Sequence, residues 1–362
     1  MRKTLIPLLV LAVVALGALA FLPGRGPRLA QPSGTSAGPV ASASVSTAPV
    51  VDGKVDSIWN QSTPVEIPVQ SGFAGNIAVS MRSVHTGDSV FFLLQWPDQD
   101  LSQRRIPWVY EGNWKFKLVP AAPPGFNPTN PGNWPKRPEG YAYEDKAAII
   151  WNINDSTRDF NINGCVVACH PDVDPRPLKY TNASGELLDL WQWKLVRTNP
   201  YGKLDDEYVD HTSDLNVNEL AGIKADPGGP AYAMNEKPDK SGPAYVSRDK
   251  STAPPYGIRN EKKRAITRAD LARLRKGDEI ASIIIGLPGI ATRTDRSDVS
   301  AKGFYDERQK TWTLEIGRKM ATGSKFDVQF DTKGTYHFGM AIFNNAQIEH
   351  SYSAGAYSLV FR

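Results

Sequence analysis

The sequence predicts a mainly β protein, a β-sandwich or barrel with long irregular insertions and few short helices. Short apolar or alternating runs recur along the chain, with turn residues between them. The 30 Gly and 28 Pro among 362 residues favour turns and loops over long helices. Nine Trp suit the core of a sandwich or an aromatic-lined pocket. The net charge of +4 is too weak to indicate nucleic-acid binding.

The N-terminal segment has the composition of an export signal. Two basic residues precede an apolar stretch that runs to Leu22, and Ala18-Leu19-Ala20 resembles a signal-peptidase site. A cleaved signal peptide and an uncleaved membrane anchor over residues 1–22 both remain open. Either one places the rest of the chain in the periplasm or on the outer face of the cell membrane. The Gly-, Pro- and Ser-rich residues 23–47 predict a flexible linker, followed by one folded domain over 48–362.

The predicted strands follow two patterns. Residues 65–69 and 76–82 alternate between apolar and polar, whereas 89–96 and 147–153 are continuous apolar runs expected to be buried on both faces. Further strands are predicted over 280–287, 311–317, 326–330, 336–343 and 356–361.

Long loops are predicted between these strands. Residues 97–141 and 215–263 are rich in Pro and Gly and are expected to be irregular. A helix is predicted over 269–276, with Thr267 as its N-cap.

The two cysteines of the chain lie in one short segment, Cys165-Val-Val-Ala-Cys169-His170. In c-type cytochromes two thiols attach to the haem vinyl groups and the adjacent His binds the iron, usually with two residues between the cysteines. Here the spacer is three residues. The segment predicts one covalently attached haem c with His170 on the iron. A Cys165–Cys169 disulfide in an exported protein and a metal site remain alternatives.

Three other stretches carry a family resemblance. Residues 48–59, with Asp52-Gly53-Lys54, resemble the opening strand of carbohydrate-binding family 9 and DOMON-like sandwiches. Residues 143–153 and the segment Leu188-Asp-Leu-Trp-Gln-Trp-Lys, followed by Arg197-Thr-Asn-Pro, resemble the haem-binding subunit family of ethylbenzene dehydrogenase. That family includes the haem (gamma) subunit of dimethyl sulfide dehydrogenase.

The resemblance implies a β-sandwich with one haem at the edge of the sheets. It also implies single-electron transfer between a molybdenum and iron–sulfur oxidoreductase and an acceptor such as another cytochrome. We therefore expect a non-catalytic electron-transfer subunit, in agreement with the absence of a Ser-His-Asp order and of a phosphate-binding Gly loop. The alternative is a sandwich that binds sugar or another ligand, with the cysteines as a disulfide.

Several side chains are candidates for the haem pocket. Trp191 and Trp193 would share one face of a strand and wall the pocket, unless they are simply core aromatics. Lys194 and Arg197 would pair with the haem propionates, or else form a solvated surface pair.

The second iron ligand is expected to be His350, in the loop before the last strand, where related haem sandwiches place a ligand. The Met and Lys ligation of b-type relatives is not carried over, because this chain has the Cys-x3-Cys-His segment instead. His211, Met340 and a lysine remain competitors, and His350 as a surface turn residue is the remaining alternative.

Overall fold

Short strands dominate the computed structural model, which describes residues 38–119, 140–171, 173, 178–248 and 257–362. The predicted signal or anchor over residues 1–22 lies outside the described residues, as does most of the predicted linker. No helix among the described residues is both long and apolar enough to cross a membrane. Gly34–Arg362 form one compact unit.

Among the described residues, the longest strands have nine residues, and each helix has only three to five. The strands are β1 Val40–Ser44, β2 Val65–Gln70, β3 Ile77–His85, β4 Ser89–Pro97, β5 Trp108–Gly112, β6 Lys115–Leu118, β7 Lys146–Asn152, β8 Cys169–His170, β9 Leu178–Lys179, β10 Leu188–Lys194, β11 Asp205–Val209, β12 Ile223–Ala225, β13 Tyr232–Met234, β14 Tyr245–Ser247, β15 Ile258–Arg259, β16 Lys263–Ala265, β17 Glu279–Ile280, β18 Ile283–Ile285, β19 Ser300–Asp306, β20 Thr311–Lys319, β21 Thr335–Phe343, β22 Ser351–Ser353 and β23 Tyr357–Phe361. The α-helices are α1 Phe160–Asn163, α2 Arg268–Leu271 and α3 Pro288–Ala291. The 3-10 helices are Ser57–Gln61, Ile153–Asp155, Gly164–Ala168, Asn199–Tyr201, Asn260–Lys262 and Asp295–Ser297.

One large sheet folds over on itself. Its strand order is β12-β11-β10-β7-β21-β22-β2-β3-β4-β20-β19, and β1 runs parallel to both β23 and β3. The two halves of the sheet face each other: the ring of Phe92 on β4 lies 5.6 Å from Trp151 on β7 and 5.9 Å from Trp191 on β10. The predicted mainly β, sandwich-like fold is confirmed.

The strand β7 shows how both faces of one sheet become buried. Ala147, Ile149 and Trp151 point into the core between the two halves. Ala148 and Ile150 point outward, into a second apolar cluster. The continuous apolar run predicted for this strand reflects those two buried faces. The outer cluster is where the cysteine segment packs.

The structure departs from the sequence-based predictions at β1. This strand lies inside the range predicted as a flexible linker, although Val40 and Ser42 are fully buried. Its residues are small and resemble linker composition. Parallel pairing with β23 and β3 makes the segment a strand, and no local pattern reveals such pairing.

Residues 326–330, predicted as a strand, form none. Val328 and Phe330 are buried as the apolar pattern indicates. However, the backbone N–H of Val328 donates to the Asp189 carboxylate at 2.9 Å instead of to a neighbouring strand. A side-chain carboxylate thus accepts the hydrogen bond that a neighbouring strand would accept in a sheet.

The insertions contain more structure than predicted. The strands β5 and β6 lie within 97–141, and the strands β12 to β15 lie within 215–263. The predicted helix is only the single turn α2, but its capping box between Thr267 and Asp270 is present as expected.

Candidate functional site

The cysteine segment covers the outer face of the sheet beside β21. The helix α1 and the 3-10 helix Gly164–Ala168 lead into β8, which pairs with β9. Cys165 is 4% exposed and lies directly over Gly339, where an added Cβ atom would be 3.1 Å from the Cys165 Cβ atom. The apolar cluster beneath the segment is rich in small residues, including Ala148, Ala341 and Ala346.

The two thiols differ in their environment. Cys165 and Cys169 are both free, and a hydrogen bond joins their side chains. The Lys179 ammonium donates to the Cys169 sulfur at 3.0 Å. The hydrogen bond from Cys165 and the Lys179 charge hold the pKa of the Cys169 thiol well below its ordinary value, whereas the pKa of Cys165 is raised. Cys169 is therefore the more nucleophilic thiol.

His350 is brought to the cysteines by the loop between β21 and β22. Burial lowers its pKa to about 4, and the nearby Cys169 thiolate opposes that change. Its Nδ1 lies 2.7 Å from the Ile348 carbonyl oxygen. Because a carbonyl only accepts, Nδ1 carries the proton and Nε2 holds the lone pair. A neutral ring oriented in this way by a backbone carbonyl is suited to bind a metal.

His170 is held on the other side of its strand. Consecutive residues of a strand point to opposite sides, so the His170 ring leaves β8 opposite the Cys169 sulfur. It stacks on Tyr180 with the ring centroids 3.6 Å apart, and Nε2 lies 3.1 Å from the Tyr180 carbonyl oxygen. Iron binding by His170 therefore requires that the ring leave Tyr180.

The structure does not bring Trp191 and Trp193 to the cysteines. On β10, Leu188 and Leu190 face the cysteine cluster, whereas the two tryptophans face the core between the two halves of the sheet. Trp193 donates to the Asn199 side chain at 3.0 Å. Both tryptophans are therefore core aromatics, which is the alternative that the sequence left open.

Lys194 and Arg197 do not form a solvated pair, because both are buried. The Lys194 ammonium pairs with Asp205 and, at 3.2 Å, with Glu207. The Arg197 guanidinium pairs with Glu144 at 2.5 Å. Their charges are thus already paired within the protein, and the structure gives them a role in joining β10 to its neighbours.

The competing iron ligands lie elsewhere. Met340 is 1% exposed and points into the inner core, on the face of β21 opposite Gly339. His211 is exposed in the turn after β11. Among the described residues, the groups of three or more potential metal ligands within 4.8 Å of one another contain only aspartates, and none includes a cysteine.

Two residues of this site escaped the sequence analysis. Lys179 reaches Cys169 only because β8 and β9 form a short hairpin that no pattern indicated. Gly339 did carry a signal, since an isolated glycine within a strand indicates a close approach of another segment.

The strand arrangement and the cysteine segment together describe one class of protein: a β-sandwich that carries two thiols and an oriented histidine on the outer face of one half of its sheet. The sequence profile described as ethylbenzene dehydrogenase matches residues 56–355. The chain belongs to the ethylbenzene dehydrogenase family.

Other comparisons add only weak likenesses. A carbohydrate-binding module of family 9 from Caldicellulosiruptor kristjanssonii, in complex with glucose, is 8% identical, with 88% of this chain and 94% of that chain covered and a TM-score of 0.32. A proposed carbohydrate-binding protein from Bacteroides uniformis is 9% identical, with 90% and 100% covered and a TM-score of 0.33. No curated protein matches.

Proposed function

We propose that this protein is an exported c-type cytochrome that carries single electrons as the haem subunit, or redox partner, of a molybdenum and iron–sulfur oxidoreductase. One haem c would be attached at Cys165 and Cys169. The observation that carries the proposal is the position of His350, which packs on Phe343 with the ring centroids 4.7 Å apart, in the apolar cluster that also holds Cys165. Membership of the ethylbenzene dehydrogenase family supports a partner of that dehydrogenase type.

The thiols suit covalent attachment. A thioether forms when a thiol adds to a vinyl group, so a reactive thiol is needed at each attachment point. Lys179 favours the thiolate of Cys169, and the exposed spacer residue Val166 leaves the segment open on one side. Below it, Cys165 packs directly against the bare backbone of Gly339, with the small side chains of Ala148 and Ala341 in the same apolar cluster. A bound haem would supply a one-electron redox centre.

The haem iron would be held by His170 and His350. His350 is already oriented with its Nε2 lone pair available, whereas His170 must first leave Tyr180. Lys179 is the competitor for the second position, since its ammonium lies within 3.0 Å of the Cys169 sulfur. The export signal expected over residues 1–22 would place the domain where haem c is attached, in the periplasm or on the outer face of the membrane.

The attachment is tested with the full chain exported in a host that matures c-type cytochromes. The denatured protein should retain peroxidase-active haem, and its intact mass should exceed that of the polypeptide by one haem. Cys165→Ser and Cys169→Ser should each leave a single thioether and shift the pyridine haemochrome band. Haem that acid–acetone extracts completely would instead indicate a b-type haem. A mass two hydrogens below that of the polypeptide would indicate a disulfide.

The axial ligand is tested by optical spectroscopy. His350→Ala should convert low-spin iron to high-spin, and imidazole should restore the low-spin spectrum. The matched control is His211→Ala, because His211 is exposed and should leave the spectrum unchanged. A low-spin spectrum that survives His350→Ala but is lost in Lys179→Gln would assign the position to Lys179.

A further inference from the structure

Six aspartates from five segments of the chain converge around β10 and β11, away from the cysteines. Asp189 and Asp206 lie on these strands, and Asp226 follows β12. Asp295 and Asp298 lie at either end of the short helix Asp295–Ser297, and Asp327 lies in the segment between β20 and β21. This aspartate cluster plays no part in the proposed function.

The carboxylates lie at the spacing of ligands around one ion. One carboxyl oxygen from each of Asp206, Asp298 and Asp327 lies within 4.8 Å of the other two, and the same holds for Asp226, Asp295 and Asp327. Two oxygens bound to one Ca²⁺ ion at 2.3–2.6 Å can be at most about 5 Å apart. Asp327 belongs to both groups and is therefore the central ligand.

Six carboxyl oxygens of the cluster are buried without donors. Asp206, Asp226 and Asp327 are 0%, 2% and 1% exposed, and both carboxyl oxygens of each lack a hydrogen-bond donor among the described residues. Such groups are costly to bury because they lose their hydration without compensation. Their burial therefore indicates a partner other than protein.

The nearby positive charge is too small to balance the cluster. The Arg318 guanidinium lies 3.2 Å from Asp189 and 3.7 Å from Asp327. Lys203 lies near Asp298. In the described part of the chain, two cationic side chains thus face six carboxyl groups.

Shared protons are the alternative source of balance. Asp226 and Asp327 are close enough to share one, as are Asp206 and Asp298. Burial and neighbouring carboxylates raise the pKa of Asp226 to about 10 and that of Asp189 to about 7. Carboxyl groups buried this close together bind either protons or a cation. A chelator should affect the protein only if a cation is bound.

We propose that the aspartate cluster binds a divalent cation, Ca²⁺ in preference to Mg²⁺, with Asp327 as the shared ligand. All of the candidate ligand atoms are oxygens, whereas the softer metals prefer nitrogen or sulfur ligands. A buried site built from several carboxylates suits Ca²⁺, since Mg²⁺ keeps most of its water ligands. The ion would fasten the segment around Asp327 and the helix Asp295–Ser297 to the edge of the sheet.

The test uses the purified full chain. After dialysis against calcium-free buffer, elemental analysis should find at least one calcium ion per chain. A chelator should lower Tm by on the order of 5 °C, and added Ca²⁺, but not equal Mg²⁺, should restore it. Protein without bound calcium whose Tm is indifferent to chelator and to Ca²⁺ would overturn the proposal, and an equal response to Mg²⁺ would overturn the stated preference.

Variants separate a cation from shared protons. Asp226→Asn and Asp327→Asn should each lower Tm in Ca²⁺, because a ligand charge is lost. A chelator should no longer change the Tm of these variants. The matched control Asp210→Asn removes a carboxylate paired with Lys224 at 2.5 Å and should keep the full calcium response. If the cluster holds only protons, Asp226→Asn should raise Tm equally with and without Ca²⁺. The wild-type measurements stand even if a variant fails to fold.

Discussion

At the scale of single residues, the buried charge of Glu144 is paired across segment boundaries. Glu144 is fully buried between the guanidinium groups of Arg197 and Arg105. It also accepts the backbone N–H of Val196 at 2.6 Å. One carboxylate thus joins the segment before β7 to the turn after β10.

Removing that carboxylate should be costly. Glu144→Gln leaves the Arg197 charge buried and unpaired, and we expect the free energy of unfolding to fall by about 3–5 kcal/mol. Urea denaturation at neutral pH measures it. The matched control is Glu111→Gln, since Glu111 pairs with Lys117 on the surface, and its loss should cost about 0–1 kcal/mol.

The effect should depend on pH with a defined sign. Burial would raise the pKa of Glu144, but Arg197 and Arg105 outweigh it and hold that pKa below the ordinary value of 4.5. The ionised carboxylate therefore stabilises the fold fully above about pH 4.5, and this contribution is lost as the pH falls further. The difference between wild type and Glu144→Gln should shrink in acid. A difference that stays constant down to the acid transition would contradict this account.

At the scale of elements, β21 separates the core from the site. Phe338, Met340 and Ile342 point inward into the core between the two halves of the sheet. Ala341 and Phe343 point outward to the cysteine cluster, and Gly339 lies beneath Cys165. A single strand therefore determines how closely the cysteine segment approaches the sheet.

A larger side chain at Gly339 should displace that segment. The Cβ atom alone would lie 3.1 Å from Cys165, so Gly339→Val should destabilise the protein by about 1–3 kcal/mol and lower the ratio of haem to protein. Absorbance and urea denaturation measure the two effects. Gly87→Ala is the control, because an added Cβ atom there meets nothing within 4 Å. A haem ratio equal to that of wild type would show that the segment does not need this close approach.

At the scale of the whole molecule, β1 closes the sheet. It pairs in parallel with β23 on one side and with β3 on the other. These two strands belong to opposite halves of the sheet. The strand β1 therefore adds a second connection between the halves, separate from the one in the main strand order.

Shortening the chain tests this role. With a separate export signal, a chain that begins at Gly38 should unfold as wild type does. One that begins at Ala48 loses β1, exposes two strand edges and removes buried Val40, at a cost of about 2 kcal/mol or more. Thermal unfolding compares the two. Equal Tm values would restore the linker interpretation for residues 40–44.

Features that depend on local pattern and on covalent neighbours could be predicted from the amino-acid sequence. Alternation and apolar runs located β2, β3, β4, β7, β20, β21 and β23, because a strand with one or two buried faces must display that burial in its own residues. The Thr267 cap was equally local. The spacing of Cys165, Cys169 and His170 could be recognised because the three residues lie on one short segment.

The pairing of side chains across the chain, by contrast, required the three-dimensional fold. The fold placed Lys179 beside Cys169 and packed His350 on Phe343 in the cysteine cluster. It also turned Trp191 and Trp193 to the core and buried Lys194 and Arg197 in ion pairs. It also gathered the aspartate cluster. A side chain's partner depends on strand order and on which face of the sheet it occupies. Those properties arise from contacts between distant segments, and local periodicity carries no information about them.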